Sequence, residues 1–150
     1  MKRIFTLFLI LIAAGAIGQT IEITNGLYYL ENKLYKGFYK EYNENGKLSA
    51  EFSISKGKLD GKTVMYYESG LVKEIRTYKN GLKNGLWVTW DEQGRKTAEA
   101  RYKSDTKHGK WYVWDDKGQL RYSMSYRKGK KTGIWRMWDE KGIMIMEKTY

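Results

Sequence analysis

Glycine recurs on a fixed 24-residue period through most of this chain, without an insertion. Gly37, Gly61, Gly85, Gly109 and Gly133 form one column, and Gly46, Gly70, Gly94, Gly118 and Gly142 a second, nine residues on. Tyr42, Tyr66, Trp90, Trp114 and Trp138 keep the same register, five residues after the first glycine. A short fixed period specifies a stack of like supersecondary units, each burying apolar surface against its neighbours. Such a chain presents an extended surface and does not enclose a reaction pocket.

Each unit reads as a β-hairpin. The first turn runs Asn43–Gly46, Tyr67–Gly70, Asp91–Gly94, Asp115–Gly118 and Asp139–Gly142. Asx at the start and glycine at the end suit a type I turn closed by a left-handed residue, the three-residue hairpin loop. A second turn carries Lys56-Gly57, Asn80-Gly81, Ser104-Asp105 and Lys128-Gly129. The runs between turns are aromatic and β-branched, and the segment from Leu120 to Tyr126 alternates apolar with polar at the strand period. The fold class is therefore all-β: tandem 24-residue hairpins pairing edge to edge in an extended, twisted antiparallel sheet.

Two aromatic columns share the first strand of each unit. Tyr39, Thr63, Trp87, Trp111 and Trp135 form one; Tyr42, Tyr66, Trp90, Trp114 and Trp138 form the other. They stand three residues apart, so a regular strand sends them to opposite faces. With Gly94 left-handed, Asp91 pairs with Arg95, Trp90 with Lys96, Trp114 with Leu120 and Trp138 with Met144. Paired residues share a face. In the second strand Leu48, Ala50, Phe52 and Ile54 alternate with polar residues, as do Leu120, Tyr122, Met124 and Tyr126. This register predicts that the Trp90 column joins the apolar face. It leaves the Trp87 column beside Glu99, Ser123 and Glu147, as an exposed aromatic ladder of Tyr39, Trp87, Trp111 and Trp135 for an extended ligand. A one-residue change in register exchanges the two roles.

Residues 1–18 read as a secretory signal peptide: Lys2 and Arg3, an apolar run to Ile12, and small residues Ala16 and Gly18 before a cleavage site. The apolar stretch from Ile4 to Ile17 falls short of the roughly 17–25 residues of a spanning helix. The predicted organisation is signal peptide 1–18, an N-terminal leader and partial repeat as cap 19–36, and five repeats 37–150, the last incomplete. The product is expected to be exported, periplasmic or extracellular, and not membrane-spanning after cleavage. The chain contains no cysteine, which excludes both a lipid-anchored N-terminus and disulfide support. Its formal net charge is +11, a balance that favours anionic partners. Charge is sorted by position. Acids gather at the first turn, from Glu44 to Glu140, and bases at the second, including Lys56, Lys58, Lys79, Lys83, Lys103, Lys107, Arg127, Lys128, Lys130 and Lys131.

The consensus carried by Asn84-Gly85, Trp87, Trp90, Gly94 and Tyr102, then by His108-Gly109, Trp111, Trp114, Gly118 and Tyr126, resembles the MORN repeat. The form is the bacterial variant of the YwqK-type antitoxin-component family, and the likeness covers about residues 26–150. It implies hairpin repeats in an extended curved sheet used for protein or membrane association; the antitoxin label implies binding a toxin protein. Departures are Thr63 at an aromatic position, Lys96 at an apolar one and Asp105 at a glycine.

No nucleophile, acid–base pair or phosphate loop stands out, so the chain is expected to be non-enzymatic, with no catalytic residue, no cofactor and no metal site. His108 reads as a polar turn residue in the column of Asp60, Asn84 and Thr132. The turn carboxylates would stack at roughly 9–10 Å intervals and could offer oxygens to calcium, yet Asx residues belong in such turns for backbone reasons. The leading expectation is a protein–protein interaction or scaffold module of the cell envelope. The alternative is glycan or anionic surface-lipid binding through the ladder. Nucleic acid is disfavoured by export, and edge-to-edge self-association is compatible with the open sheet.

Overall fold

The computed structural model describes residues 20–150; the segment read as a signal peptide lies outside them. A three-stranded meander comes first: β1 (Ile21–Thr24), β2 (Leu27–Leu30) and β3 (Lys33–Leu34). The repeats then build one 13-stranded sheet. Its strands are β4 (Gly37–Tyr42), β5 (Leu48–Ser55), β6 (Lys58–Tyr66), β7 (Val72–Lys79), β8 (Leu82–Lys83), β9 (Gly85–Trp90) and β10 (Lys96–Lys103). They continue as β11 (Thr106–Lys107), β12 (Gly109–Trp114), β13 (Leu120–Arg127), β14 (Lys130–Lys131), β15 (Ile134–Trp138) and β16 (Met144–Thr149). Strand order follows chain order from β4 to β16, all antiparallel, with the two-residue strands β8, β11 and β14 on the ends of β7, β10 and β13. The all-β hairpin-repeat architecture is as the sequence predicts. Strands touch chiefly their ladder neighbours, so no second layer covers the sheet among the described residues.

Both turns take the forms their residues demand. In the first, Asp91 N–H donates to the Arg95 carbonyl and Gly94 N–H to the Asp91 carbonyl, with Gly94 at φ +76°. The Asp91 carboxylate accepts from the amides of Gln93 and Arg95; Asn43, Asp115 and Asp139 do the same in their turns. The acidic edge thus exists because Asx oxygens replace backbone acceptors in these loops. In the second turn both central residues have positive φ, as at Asn80 (+51°) and Gly81 (+83°), the type I′ geometry that matches strand twist. Successive second turns are stitched together at the 24-residue period. The amides of Gly57, Gly81, Asp105 and Gly129 donate to the carbonyls of Tyr35, Leu59, Lys83 and Lys107.

One feature overturns the face assignment made from the sequence. Trp90 does pair with Lys96, Trp114 with Leu120 and Trp138 with Met144. One step further along, each hairpin inserts an extra residue: Thr89 pairs with Ala98, so Thr97 is bulged out. The same shift recurs beside Tyr42, Tyr66, Trp114 and Trp138. A bulge reverses the alternation of everything beyond it. Trp87 therefore lies opposite Ala100, Trp111 opposite Met124 and Tyr39 opposite Phe52. Glu99 and Ser123, expected beside the Trp87 column, face Val88 and Tyr112 on the other side, and Glu147 faces Arg136. Tyr39, Trp87, Trp111 and Trp135 belong to the apolar face.

The two glycine columns answer different demands. A Cβ on Gly94 would meet nothing within 4 Å, so only its φ requires glycine. On Gly61, at φ +105°, a Cβ would approach Ser53 Cβ to 3.0 Å. Gly94→Ala should cost about 1 kcal/mol for a left-handed alanine. Gly61→Ala should cost clearly more, since backbone strain and steric conflict add. Urea unfolding of both variants checks this; equal losses would show that the crowding at Gly61 relaxes freely.

Candidate interaction surface

The apolar face carries a nearly continuous file of rings. Tyr78, Trp87, Tyr102, Trp111, Tyr126, Trp135 and Tyr150 follow one another with centroid separations of 5.7, 4.9, 5.1, 5.3, 5.2 and 5.0 Å. A shorter file of Tyr28, Tyr39 and Phe52 stands at the N-terminal end. Each such pair contributes about 0.5–1.5 kcal/mol beyond simple burial. The indole N–H groups of Trp87, Trp111 and Trp135 donate to the carbonyls of Thr77, Arg101 and Ser125, always ten residues back. Lysines of the two-residue strands lie over the rings. Lys83 Nζ is 5.0 Å from the Trp87 centroid, Lys107 Nζ 4.6 Å from Trp111 and Lys131 Nζ 4.4 Å from Trp135. Each of these ammonium groups also covers the next tyrosine in the file, at Tyr102, Tyr126 and Tyr150. The column read as an exposed ladder is thus stacked, hydrogen-bonded and roofed. Tyr39 and Trp135 are buried, and Trp87 and Trp111 are half-buried.

The files are separated at Thr63, where an aromatic is missing. Thr63 is buried, and its hydroxyl has no partner among the described residues. Arg76, directly opposite Thr63, occupies this stretch of the face. Its guanidinium lies 5.0 Å from the Trp87 centroid and donates to Glu74 Oε2 at 2.7 Å. An arginine can span such a gap because its planar head stacks on a ring while its fork holds a carboxylate.

The opposite face carries the second column. Tyr42 is exposed, and Tyr66, Trp90, Trp114 and Trp138 are half-buried, so none of this column is closed off. No indole N–H of Trp90, Trp114 or Trp138 has an acceptor within the described residues, in contrast to the three tryptophans of the apolar face. Charged pairs flank the column: Lys40 with Glu51 at 3.0 Å, Lys96 with Glu99 at 3.0 Å and Arg136 with Glu147 at 2.8 Å. Lys96 Nζ also stands 5.4 Å over the Trp114 ring. The Lys96 that departs from the apolar pattern is therefore a surface residue on a mixed aromatic and ionic face. Tyrosine and tryptophan, with an apolar body and a polar tip, are enriched at interfaces, whereas lysine and glutamate are depleted there.

Tyr66 is the most strongly held member. Its hydroxyl donates to Glu51 Oε2 at 2.6 Å. The bond holds Glu51 below the usual carboxylate range, helped by Lys40, and it raises the phenol from 10.0 to about 12. On the other face, burial raises Glu41 above that range. At the first turns, Asp115 is held low chiefly by the Gln119 amide; for Asp91, burial pulls upward but the Arg95 and Gln93 amides and the Arg95 side chain outweigh it. These oxygens are committed to turn hydrogen bonds. No three His, Cys, Asp or Glu residues among those described converge as a metal site.

Residues 37–54, 59–80 and 107–128 match the family model for the MORN repeat variant. Three stretches of this chain are thus of MORN type. The intervening repeat, with Lys96 and Asp105, keeps the same turns, bulge and ring stacking. No curated protein matches the chain.

Two outcomes test this geometry. Trp111→Ala should destabilise by about 3 kcal/mol, as a large core truncation does, and Trp114→Ala by clearly less. The reverse order in urea unfolding would return the two columns to their alternation without the bulge. Tyr66→Phe should remove a contribution with a defined pH window. Glu51 is depressed in the folded state, so its share is present above the unfolded carboxylate pKa and lost as pH falls through the folded value. Tyr66 is raised, so its share is present below the unfolded phenol pKa and lost as pH rises through about 12. The stability difference between wild type and Tyr66→Phe should be flat from about pH 5 to pH 10 and shrink outside that range. A difference that grows toward acid would refute the assigned bond.

Proposed function

We propose that this chain is an exported, non-enzymatic interaction module of the cell envelope that binds a protein partner through the Tyr42, Tyr66, Trp90, Trp114 and Trp138 face. The observation that carries the reading is the contrast between the two columns: one is committed to stacking, backbone hydrogen bonds and lysine cover, while the other is open and keeps free indole donors. An open sheet supplies a long, flat, rigid surface, and repeats of the MORN type serve generally as interaction modules. The signal-peptide pattern at residues 1–18 supports export, and an envelope protein is the partner class that follows. Toxin binding, as in the antitoxin families, would use the same face on a different partner. The glycan and surface-lipid reading placed its ligand on the Trp87 column, whose rings are mostly taken up by their neighbours.

Capture from an envelope extract of the source cells tests this. The wild-type chain should retain one specific partner, and the double variant Trp90→Ala, Trp114→Ala should lose it by tenfold or more, as when central aromatics are removed. Retention unchanged by that variant and lost with Trp111→Ala would move binding to the apolar face. Quenching of tryptophan fluorescence by envelope oligosaccharides, with no protein retained, would replace the proposal with glycan binding.

A further inference from the structure

The second turns form an edge lined with cations, and cavities open along it beside Asn80-Gly81 and beside Lys128. Lys103, Ser104, Thr106, His108, Arg127 and Lys128 line a cavity of about 500 Å³ between two successive turns. The lining holds two lysines, an arginine, an imidazole and two hydroxyls, and no carboxylate. None of Lys103, Arg127 and Lys128 forms an ion pair among the described residues, although seven such pairs exist elsewhere on the sheet. Asp105 lies between Ser104 and Thr106 in one of these turns, and its carboxylate accepts from the Lys83 amide, toward the preceding repeat.

The repeat sets this cleft apart from the cavity beside Asn80, whose turn amide is capped. In the column of Asp60, Asn84 and His108, the first two side chains cap the next repeat's second turn. Asp60 Oδ2 accepts from the Asn80 amide at 3.0 Å, and Asn84 Oδ1 from the Ser104 amide at 3.3 Å. The third member of that series is His108, and the equivalent amide is that of Lys128. No hydrogen bond joins them, and the Lys128 amide has no other acceptor among the described residues. A position that supplies an anionic or amide oxygen at Asp60 and Asn84 is taken here by an imidazole, as it is by an ammonium group at Lys36. An unused backbone donor is left facing a group of cations.

We propose that this cleft is a phosphate site, in which a phosphate dianion, free or carried as a monoester, takes the place of the missing cap. One oxygen accepts from the Lys128 amide, as the Asp60 and Asn84 oxygens accept from theirs. Arg127 and Lys103 neutralise the charge, the guanidinium through its fork, and Ser104 supplies a hydroxyl donor. Lys128 and Gly129 both have positive φ (+51° and +78°), and of their two amides only that of Lys128 is free, since Gly129 donates to the Lys107 carbonyl. The site stands on the turn edge, apart from the aromatic face, and does not rest on the protein-partner reading.

The test is amide-resolved NMR of the full chain titrated with inorganic phosphate against sodium chloride of equal ionic strength. The expected result is a saturable shift of the Lys128, Gly129 and His108 amides with phosphate and not with chloride. The sharpest variant is His108→Asn, which restores the cap used by Asn84. It should leave the fold intact, move the Lys128 amide to the position of a bonded donor, and weaken phosphate binding at least tenfold. Arg127→Gln should weaken it by a similar factor without installing the cap, which keeps the test decisive if His108→Asn alters the turn. Shifts spread equally over all the second turns, or the same affinity in wild type and both variants, would overturn the proposal. Two further arms distinguish the carrier. Glycerol 3-phosphate that competes with inorganic phosphate would assign a soluble ester, whereas co-sedimentation with phosphatidylcholine vesicles only when they contain phosphatidic acid would assign a lipid-borne one.

Discussion

The extra residue that follows each first turn decides which face of this protein is its core. Without it, strand alternation would place the Trp90 column with Met124 and Tyr126, and the sheet would bury a different set of rings. With it, Tyr39, Trp87, Trp111 and Trp135 stand opposite Phe52, Ala100, Met124 and Lys148. The bulge recurs in every repeat, so the reversal is uniform and the columns stay straight. A bulge in one unit alone would break both files. The bulge and the 24-residue period therefore reinforce each other.

With no second layer among the described residues, the sheet buries its apolar face with its own side chains. Two terms make this sufficient. The rings stack along the sheet, so each one covers its neighbours on both sides. The lysines of the two-residue strands then lie over the file, their stems along the rings and their ammonium groups in water, at about 0.5–1 kcal/mol per cation–ring contact. Because Lys83, Lys107 and Lys131 each reach the aromatic pair of the following repeat, the contact couples units instead of stabilising one alone. The turn-to-turn hydrogen bonds from Gly81, Asp105 and Gly129 act in the same direction. Stability is then mainly a matter of nearest-neighbour interfaces. The ring file is interrupted at Thr63, where an arginine held between Glu74 and Trp87 takes its place.

The hairpin fold, the positions of both turns, the loop pairing of Asp91 with Arg95 and the separation of acidic from basic edges were all legible in the residues. Each depends on local chemistry: Asx and glycine at fixed offsets, and aromatic runs between them. The bulge was not legible. Thr97, the extra residue, is neither glycine nor proline, and its counterparts Ser49, Lys73, Arg121 and Ile145 share no side-chain type. The Trp90 pairing was read correctly, but carrying regular alternation past it gave the wrong face for Tyr39, Trp87, Trp111 and Trp135. One signal pointed the other way. Tyr78, Tyr102, Tyr126 and Tyr150 recur at the same 24-residue interval and require aromatic partners, which only the Trp87 column is placed to give.

A repeat protein shows its specific chemistry where a column departs from its own rule, because the shared positions are accounted for by stacking. Three departures stand out, with different physical outcomes. Thr63 opens the ring file, and Arg76 spans the gap, which is a repair within the fold. Lys96 replaces an apolar residue on the outer face and joins Glu99 and the Trp114 ring, which keeps that surface polar around its aromatics. His108 replaces a capping oxygen, and the Lys128 amide, in the cleft that Lys103 and Arg127 also line, has no acceptor among the described residues. The partner recognition proposed for the open tryptophan face would use the regularity of the repeat, whereas the anion site proposed at the uncapped turn would use a break in it. The two features stand on different parts of the sheet, one on a face and one on the turn edge, so a bound anion would leave the aromatic surface free.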